Sequence, residues 1–411
     1  MVHEMPDEKK NKPGRDKRID DLSADLELSR YSRKPKEWQA CPISSLPRDV
    51  LQRALEVGVV PDEDSRAATY FQIDHSVVSR AVQEIFRDKI EIMSTKEAIR
   101  KYDWFKNYWW KLIRRDADKF TLLADSMWDQ GYFIRILEDQ KITVPLQSCL
   151  FVSTNNLNQN VHNIIIAEPG SEAQIITGCA VHPNVHSGLH VGVSEFYIKE
   201  DAKLTFTMIH SWAQDFDSRP RSAAEIGDNG VFVSNYMIFK PVKSLQMYPV
   251  AYCRGVNSKV SFNNIIYGSK DSHIDAGSKV VLQNEGARGE IITRAIATDN
   301  AKIYARGFLH GEHEESRAHL ECRGLLLSDN AMIYAVPELL AESQGAELSH
   351  EAAVGKIAEE QIQYLMARGF SEKEAASLIV RGFMDISIFG LPGELEESIE
   401  KIVKATAERA L

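Results

Sequence analysis

The chain of 411 residues is long enough to bury a sizeable core, in two or three structural units. Its formal charge of −10 argues against a nucleic-acid partner, because phosphate neutralisation needs a dominant basic surface. No window approaches the 18 or so uninterrupted apolar residues of a membrane-spanning helix, so no membrane association is expected.

Residues 1–30 carry KK, RDKR and many acidic side chains with few large apolar ones, which predicts a solvated arm. The opening MVHEMPDEKKNKPGRDKR has no apolar run behind it, so no secretory signal is expected and the cytoplasm is the expected location. A helical unit is predicted over 31–126. In LPRDVLQRALEVG, Leu46, Val50, Leu51, Ala54 and Leu55 recur at helical spacing, with Gly58 as a stop. Ser94 followed by Glu97 is a capping-box start. Behind it, DWFKNYWWKLI, with Trp104, Phe105, Tyr108, Trp109 and Trp110, predicts an aromatic helix packed on the next unit.

From about Met127 to 348 the helical period disappears, and Gly, Asn and Asp punctuate short runs of Val, Ile, Leu, Phe and Thr. One module recurs: a turn residue, a small residue, a polar residue, then an alternating strand. It appears at Ala173, Ala202, Ser258, Ser278, Ala301, Ala331 and Ala346. Three successive gaps, from Ser258 to Ser278, Ala301 and Ala331, are 20, 23 and 30 residues. Short strands at such a period with no helices between them predict a right-handed parallel β-helix. A sandwich would show more hairpin signals than the single DNG at 228–230. The predicted fold class is mainly β, a solenoid core flanked by helical units at both ends.

Helical periodicity returns over 349–411. HEAAVGKIAEEQIQYLMARG places Val354, Ile357, Ala358, Ile362 and Leu365 mostly on one face. Ser371 and Glu374 form a second capping box, and LPGELEESIEKIVKATAERAL predicts a third helix. Such a bundle would cover the open end of a solenoid and offer a docking surface.

Five cysteines, at 41, 149, 179, 253 and 322, form no CxxC pair and read as free thiols of a reducing compartment. There is no GxxxxGK or GxGxxG phosphate loop, so any nucleotide is expected on another subunit. Coordinating chemistry is densest between Ala301 and Glu351. That stretch holds Cys322, four histidines (His310, His313, His319, His350) and carboxylates including Glu321 and Glu351. Thiolate, imidazole and carboxylate together suit iron or zinc.

Two stretches carry a resemblance. GCAVHPNVHSGLHVGVSEFYIKEDAKLTFTMIHSW and AELSHEAAVGKIAEEQIQYLMARGFSEKEAASLIVRGF resemble the SufB/SufD scaffold proteins of iron–sulfur cluster assembly, in a short archaeal-type form. YDWFKNYWWKLI is similar to that family's N-terminal helical region. The resemblance implies a β-helix between helical domains, a transient iron–sulfur cluster, and a SufC-type ABC ATPase docked on the C-terminal helices. It also implies pairing of two β-helices at their ends, here as a homodimer, together with a sulfur donor and apo-protein recipients. Cys322, in AHLECRGLLL, stands where the scaffold has its cluster-building cysteine. Glu351 in SHEA stands at an acidic position of the family, with His350 beside it. Cys179, in ITGCA, stands where sulfur is accepted. The cysteine that bacterial SufB carries before its HEA motif is absent from PELLAESQG. The loop after Cys179 carries three histidines (His182, His186, His190) in place of an acidic, Arg-rich one.

On this basis Cys322 and Glu351, with His350 as a third, are the expected cluster ligands at a subunit interface. The plainer alternatives are a core thiol for Cys322 and, for Glu351, a carboxylate in the first turn of a helix. Cys179 is the expected persulfide acceptor, with the loop histidines lowering its pKa if they fold back on it; otherwise it is a buried cysteine at a β-helix corner. Phe383, Met384, Ile386, Ile388 and Phe389 are the expected apolar docking residues for the ATPase. The expected function is a non-enzymatic scaffold; a SufD-like partner subunit holding no cluster is the alternative. A β-helix hydrolase or lyase acting on polysaccharide would want a groove of paired carboxylates and a secretion signal.

Overall fold

The computed structural model describes residues 26–128 and 130–384, together with positions 396, 397, 400, 401 and 404. Its core is a β-solenoid of about eight turns whose strands alternate between two sheets; two turns break their strand in the second sheet into a short pair, Asp215–Ser218 with Arg221–Ile226 and Ser244–Met247 with Val250–Cys253. Lys259–Gly268, Arg288–Ala297, Arg317–Leu326 and Glu347–Lys356 stack in parallel in one sheet. His273–Leu282, Lys302–Gly311 and Met332–Ala341 do the same in the other.

The corners explain the recurring module. Asp201, Asn229, Asn257 and Gly286 each have a left-handed φ two residues before a strand, where Asn, Asp and Gly are tolerated. At Gly286 (φ +65°) a Cβ would also collide with the Asn257 side chain of the turn below. Next comes a small residue packed inside the corner: Ala202, Ser258, Ala287, Ala301 and Ser316 are all fully buried. The serines close the turn by donating to the carbonyl three residues back. Ser258 reaches Gly255 at 2.7 Å, Ser272 reaches Ser269 at 2.7 Å, and Ser316 reaches His313 at 2.6 Å.

A turn with two strands has two corners, so full-turn and half-turn spacings are interleaved. The 30 residues from Ala301 to Ala331 are one full turn. Ser278 lies in the middle of His273–Leu282, which is why the gaps of 20 and 23 residues around it look irregular.

Two boundaries differ from expectation. Between 31 and 126 the chain is not wholly helical: Ala68–Ile73, Ser76–Val82 and Ile90–Ser94 are strands. Ala68–Ile73 pairs in parallel with Leu146–Val152 and antiparallel with Ser76–Val82, and Ile90–Ser94 runs antiparallel to Tyr132–Ile136. These strands finish the N-terminal end of both sheets. The helices of this region, Arg48–Leu55, Thr95–Lys101 and Lys119–Ser126, are short. At the other end, SHEA lies on the last strand, Glu347–Lys356, so the solenoid passes the boundary expected at 348. The helices Glu359–Met366 and Glu372–Phe383 follow, the second opened by the Ser371–Glu374 capping box. The third expected helix lies outside the described residues apart from isolated positions.

The aromatic segment is not one long helix either. After a short 3-10 turn, Asp103–Asn107, it lies across the solenoid, held by a buried carboxyl group. Glu195 is fully buried and accepts the backbone N–H groups of Trp110, Lys111 and Leu112 at 2.7, 2.7 and 2.6 Å. His162 Nε2 donates at 2.8 Å to Oε2, the oxygen that also accepts from Trp110, and the His162 ring stacks on Trp109 with centroids 3.8 Å apart. Removing one partner of such a buried group strands the rest. Glu195→Ala is expected to lower stability by about 3–5 kcal/mol. The check is a lower urea midpoint, with Trp fluorescence reporting release of the aromatic segment.

Candidate functional site

The sequence-predicted ligands lie on the last two turns. In the register between Arg317–Leu326 and Glu347–Lys356, Glu321 stands opposite Glu351, Cys322 opposite Ala352, Leu320 opposite His350 and His319 opposite Ser349. Strand alternation then sorts them by face. Cys322 joins Leu320 and Ala318 in the interior and is 2% exposed. His350 lies in the same inward row as Leu320, at the open end. Glu351 is on the outer face. Within one chain, therefore, Cys322 and Glu351 are neighbours along the backbone ladder but not on one surface.

What the structure brings to Glu351 is Glu321 and His319, with one ligand atom from each within 4.8 Å of the others. Arg323 serves both carboxylates, with Nε 3.0 Å from Glu321 and Nη2 3.5 Å from Glu351. The helix-dipole account of Glu351 does not apply, because the residue is in a strand. His319 and Glu321 were visible in the stretch but not singled out. The signal that finds them is the 30-residue turn joining Glu321 to Glu351, combined with the strand period of two. His310 is on the other sheet, with Nε2 3.0 Å from Glu342, and His313 sits in a corner turn.

Burial, followed by the adjacent charge of Glu321, pushes the Cys322 thiol up to about 11. At neutral pH it is a protonated core thiol, and becoming a ligand requires a metal or an opening that favours the thiolate.

Cys179 lies within Glu172–Val181 rather than at a corner, faces the interior and is fully buried, which holds its thiol far above the usual range. Its register partner one turn on is His210. His210 Nδ1 and the Tyr236 hydroxyl are hydrogen-bonded at 2.9 Å, and the Trp212 ring lies 4.9 Å from His210 and 5.2 Å from His190. His190 Nδ1 donates to Gln159 Oε1 at 2.9 Å. Burial drives His190 down to about 3 and His210 well below the usual imidazole range, so both are neutral. The loop histidines do not converge on Cys179. His182 donates to Asp49 at 2.8 Å, and His186 takes part through its backbone N–H, bonded to Asn155. The neighbour is His210, legible only once the turn length is known.

Of the expected docking residues, Phe383 is half-buried and Met384 is buried, packed with Val380 in the cluster that holds Leu325 and Ile296. Met384 is thus part of the core and not an exposed contact. Ile386, Ile388 and Phe389 lie outside the described residues.

The model of the SufBD core domain of the SUF system for FeS cluster assembly matches residues 150–383, which include Cys179, Cys322 and Glu351. The chain belongs to the SufBD family. An iron–sulfur cluster assembly SufBD family protein of Methanothermobacter thermautotrophicus is 46% identical over 401 residues, 96% of this chain and 97% of that protein. One from Archaeoglobus fulgidus is 47% identical over 360 residues, covering 88% and 95%. One from Staphylococcus saprophyticus is 27% identical over 400 residues, covering 95% and 85%. In this SufBD protein, then, two interior cysteines sit on well-defined rungs in a protonated state.

That state is measurable. In the native SufBD chain Cys41, which is part-exposed, should react first with a thiol reagent, and the four buried cysteines only slowly; denaturant should release all five. Cys322 ionises near 9 when unfolded and near 11 when folded, so in that window the unfolded chain binds fewer protons. Its stabilising contribution is intact below pH 9 and is lost as pH rises toward 11. Alkaline unfolding titrations of wild type and Cys322→Ala should show a constant stability difference below pH 9, with wild type losing stability relative to the variant as pH rises from 9 toward 11.

Proposed function

We infer that this SufBD protein is a scaffold on which an iron–sulfur cluster is assembled and from which it is passed to apo-proteins. The observation that carries this reading is the placement of Cys322 one rung from the open end, with His350 and Glu351 on the terminal strand beside it. A structural subunit needs none of the three. Thiol, imidazole and carboxylate form a mixed set that holds iron less tightly than four thiolates, as suits a site that must release its product.

Because Cys322 and His350 face the lumen and Glu351 faces out, one chain alone leaves the set incomplete. A second copy meeting the open end supplies the missing side. The terminal turn is suited to that contact: Leu339, Leu340 and Val354 are more than 40% exposed, and the outer edges of Met332–Ala341 and Glu347–Lys356 are unpaired among the described residues. Cys179 is the sulfur acceptor, its thiolate taking a sulfane sulfur from a donor persulfide while the donor leaves as a thiolate. His210 is placed to take the Cys179 proton once the site is opened to solvent. The chain itself is not an enzyme in this reading. A SufC-type ABC ATPase, docked on the C-terminal helices, supplies the work of opening, in the reducing compartment that free thiols require, the cytoplasm. No helix among the described residues is long and apolar enough to cross a membrane.

The buried, protonated state of Cys322 is what a SufD-like subunit without a cluster would also have, so the two readings are separated by experiment. Anaerobic reconstitution with iron and sulfide, with the ATPase co-expressed, should give a cluster by absorption and Mössbauer spectra in wild type and none in Cys322→Ala. A cluster of equal yield in both would remove Cys322 from the site, and none in either would favour the SufD-like role. Mass spectrometry under sulfur-donating conditions should find the persulfide on Cys179.

A further inference from the structure

The outer face of the last two turns carries a ligand set that does not involve Cys322. Glu321 and Glu351 stand directly opposite each other on neighbouring strands, where two like charges repel. His319 lies two residues along the same face, and the three groups converge within 4.8 Å. Among the described residues the pair is bridged by Arg323, whose guanidinium is half-exposed and therefore weakly held. The His319 ring is fixed: Nδ1 is hydrogen-bonded to the Ser349 hydroxyl at 2.8 Å, leaving Nε2 as the available donor. An outer partner on one ring nitrogen is the arrangement that orients histidine ligands in metal sites. A cleft of about 630 Å³, lined by His319, Ser349, Arg288, Arg317 and Glu347, opens beside His319.

We propose that His319, Glu321 and Glu351 form a binding site for a divalent first-row metal ion on the outer face of the solenoid, with Arg323 as the resident counter-cation that the ion displaces. Two carboxylates and one neutral imidazole balance a 2+ charge, and their oxygen and nitrogen atoms suit Fe(II) or Mn(II) better than a soft, thiolate-seeking ion. Three protein ligands leave coordination positions for water, so the ion is held yet stays exchangeable. The three side chains sit on two strands locked in register, so no rearrangement beyond the swing of Arg323 is needed. Only the identity of the ion as iron, held before it meets sulfur, rests on the scaffold reading.

The test uses the full chain under anaerobic conditions without sulfide, titrated with Co(II) as a spectroscopic probe and with Fe(II) in competition. One Co(II) per chain should bind with weak ligand-field bands and no sulfur-to-metal charge-transfer band, equally in wild type and Cys322→Ser. Affinity should fall about tenfold or more in His319→Gln and in Glu321→Gln, and should rise in Arg323→Met, which removes the competing cation. These opposite directions separate metal binding from general damage to the fold. A charge-transfer band that disappears in Cys322→Ser, or unchanged affinity in both His319→Gln and Glu321→Gln, would overturn the site. Cluster reconstitution on the same variants separates the two ideas. Unchanged Co(II) affinity with normal cluster yield sinks this site alone, whereas residue-dependent Co(II) binding with no cluster in any variant upholds it and sinks the scaffold reading.

Discussion

Each ten-residue strand in the C-terminal half of the solenoid hydrogen-bonds to the strand one turn earlier without a register shift, so a residue's neighbours are those 29 or 30 positions away. Combined with the two-residue alternation of a strand, this sets both the partner and the face of every side chain. A one-residue slip anywhere would turn the interior outward, so the corners must hold the count. They do it with a left-handed Asn, Asp or Gly, a buried small residue and, at three corners, a serine bonded three residues back. The chemistry at either end of the solenoid depends on that count.

The same alternation explains why Cys179 and Cys322 are protonated. Cys179 and Cys322 occupy inward positions that would otherwise hold aliphatic side chains, and the apolar lumen favours the neutral thiol. The polar groups beside Cys179, His210 and Tyr236, are bonded to each other, and His210 carries no charge that could draw the proton off. A site built this way is protected from adventitious oxidation and metal until something opens it. On the scaffold reading the opening must come from outside the chain, which fits a protein with no phosphate loop of its own.

Much of the fold was legible in the sequence. The turn residues and short strands pointed to a solenoid, and the capping signatures at Ser94 and Ser371 marked true helix starts, the reciprocal box forming only at Ser371. What the sequence hid was phase. Ser278 matches the module by composition yet lies mid-strand, and nothing local distinguishes it from the corner residue Ser272 six positions earlier. SHEA reads as a helix start because glutamate favours a first turn, yet pairing with Arg317–Leu326 holds it in a strand. The strands Ala68–Ile73 and Ser76–Val82 were masked by helical signals on both sides, and pairing with Leu146–Val152, far along the chain, decides their state. Site residues suffered from the same loss of phase. Cys179 and Cys322 stand out by type, whereas His210 and the pair His319–Glu321 acquire meaning only through a neighbour one turn away.

The open end shows how one register serves two different surfaces. Cys322 and His350 point down the lumen, where only a body meeting the solenoid end-on can reach them. Glu321, Glu351 and His319 point sideways, where the ligand set is complete within one chain. Because Glu351 and His350 are adjacent in sequence, the two surfaces are one residue apart through the backbone, and any event that twists the terminal strand moves both. That strand is held on one side only, by Arg317–Leu326, with its other edge unpaired among the described residues. Like Met332–Ala341, it is therefore less constrained by its neighbours than the inner strands of the C-terminal turns. An end-on partner that adds hydrogen bonds to that edge would fix the twist and set the two surfaces relative to each other. The coupling needs no conformational signal through the body of the solenoid, only completion of its last rung.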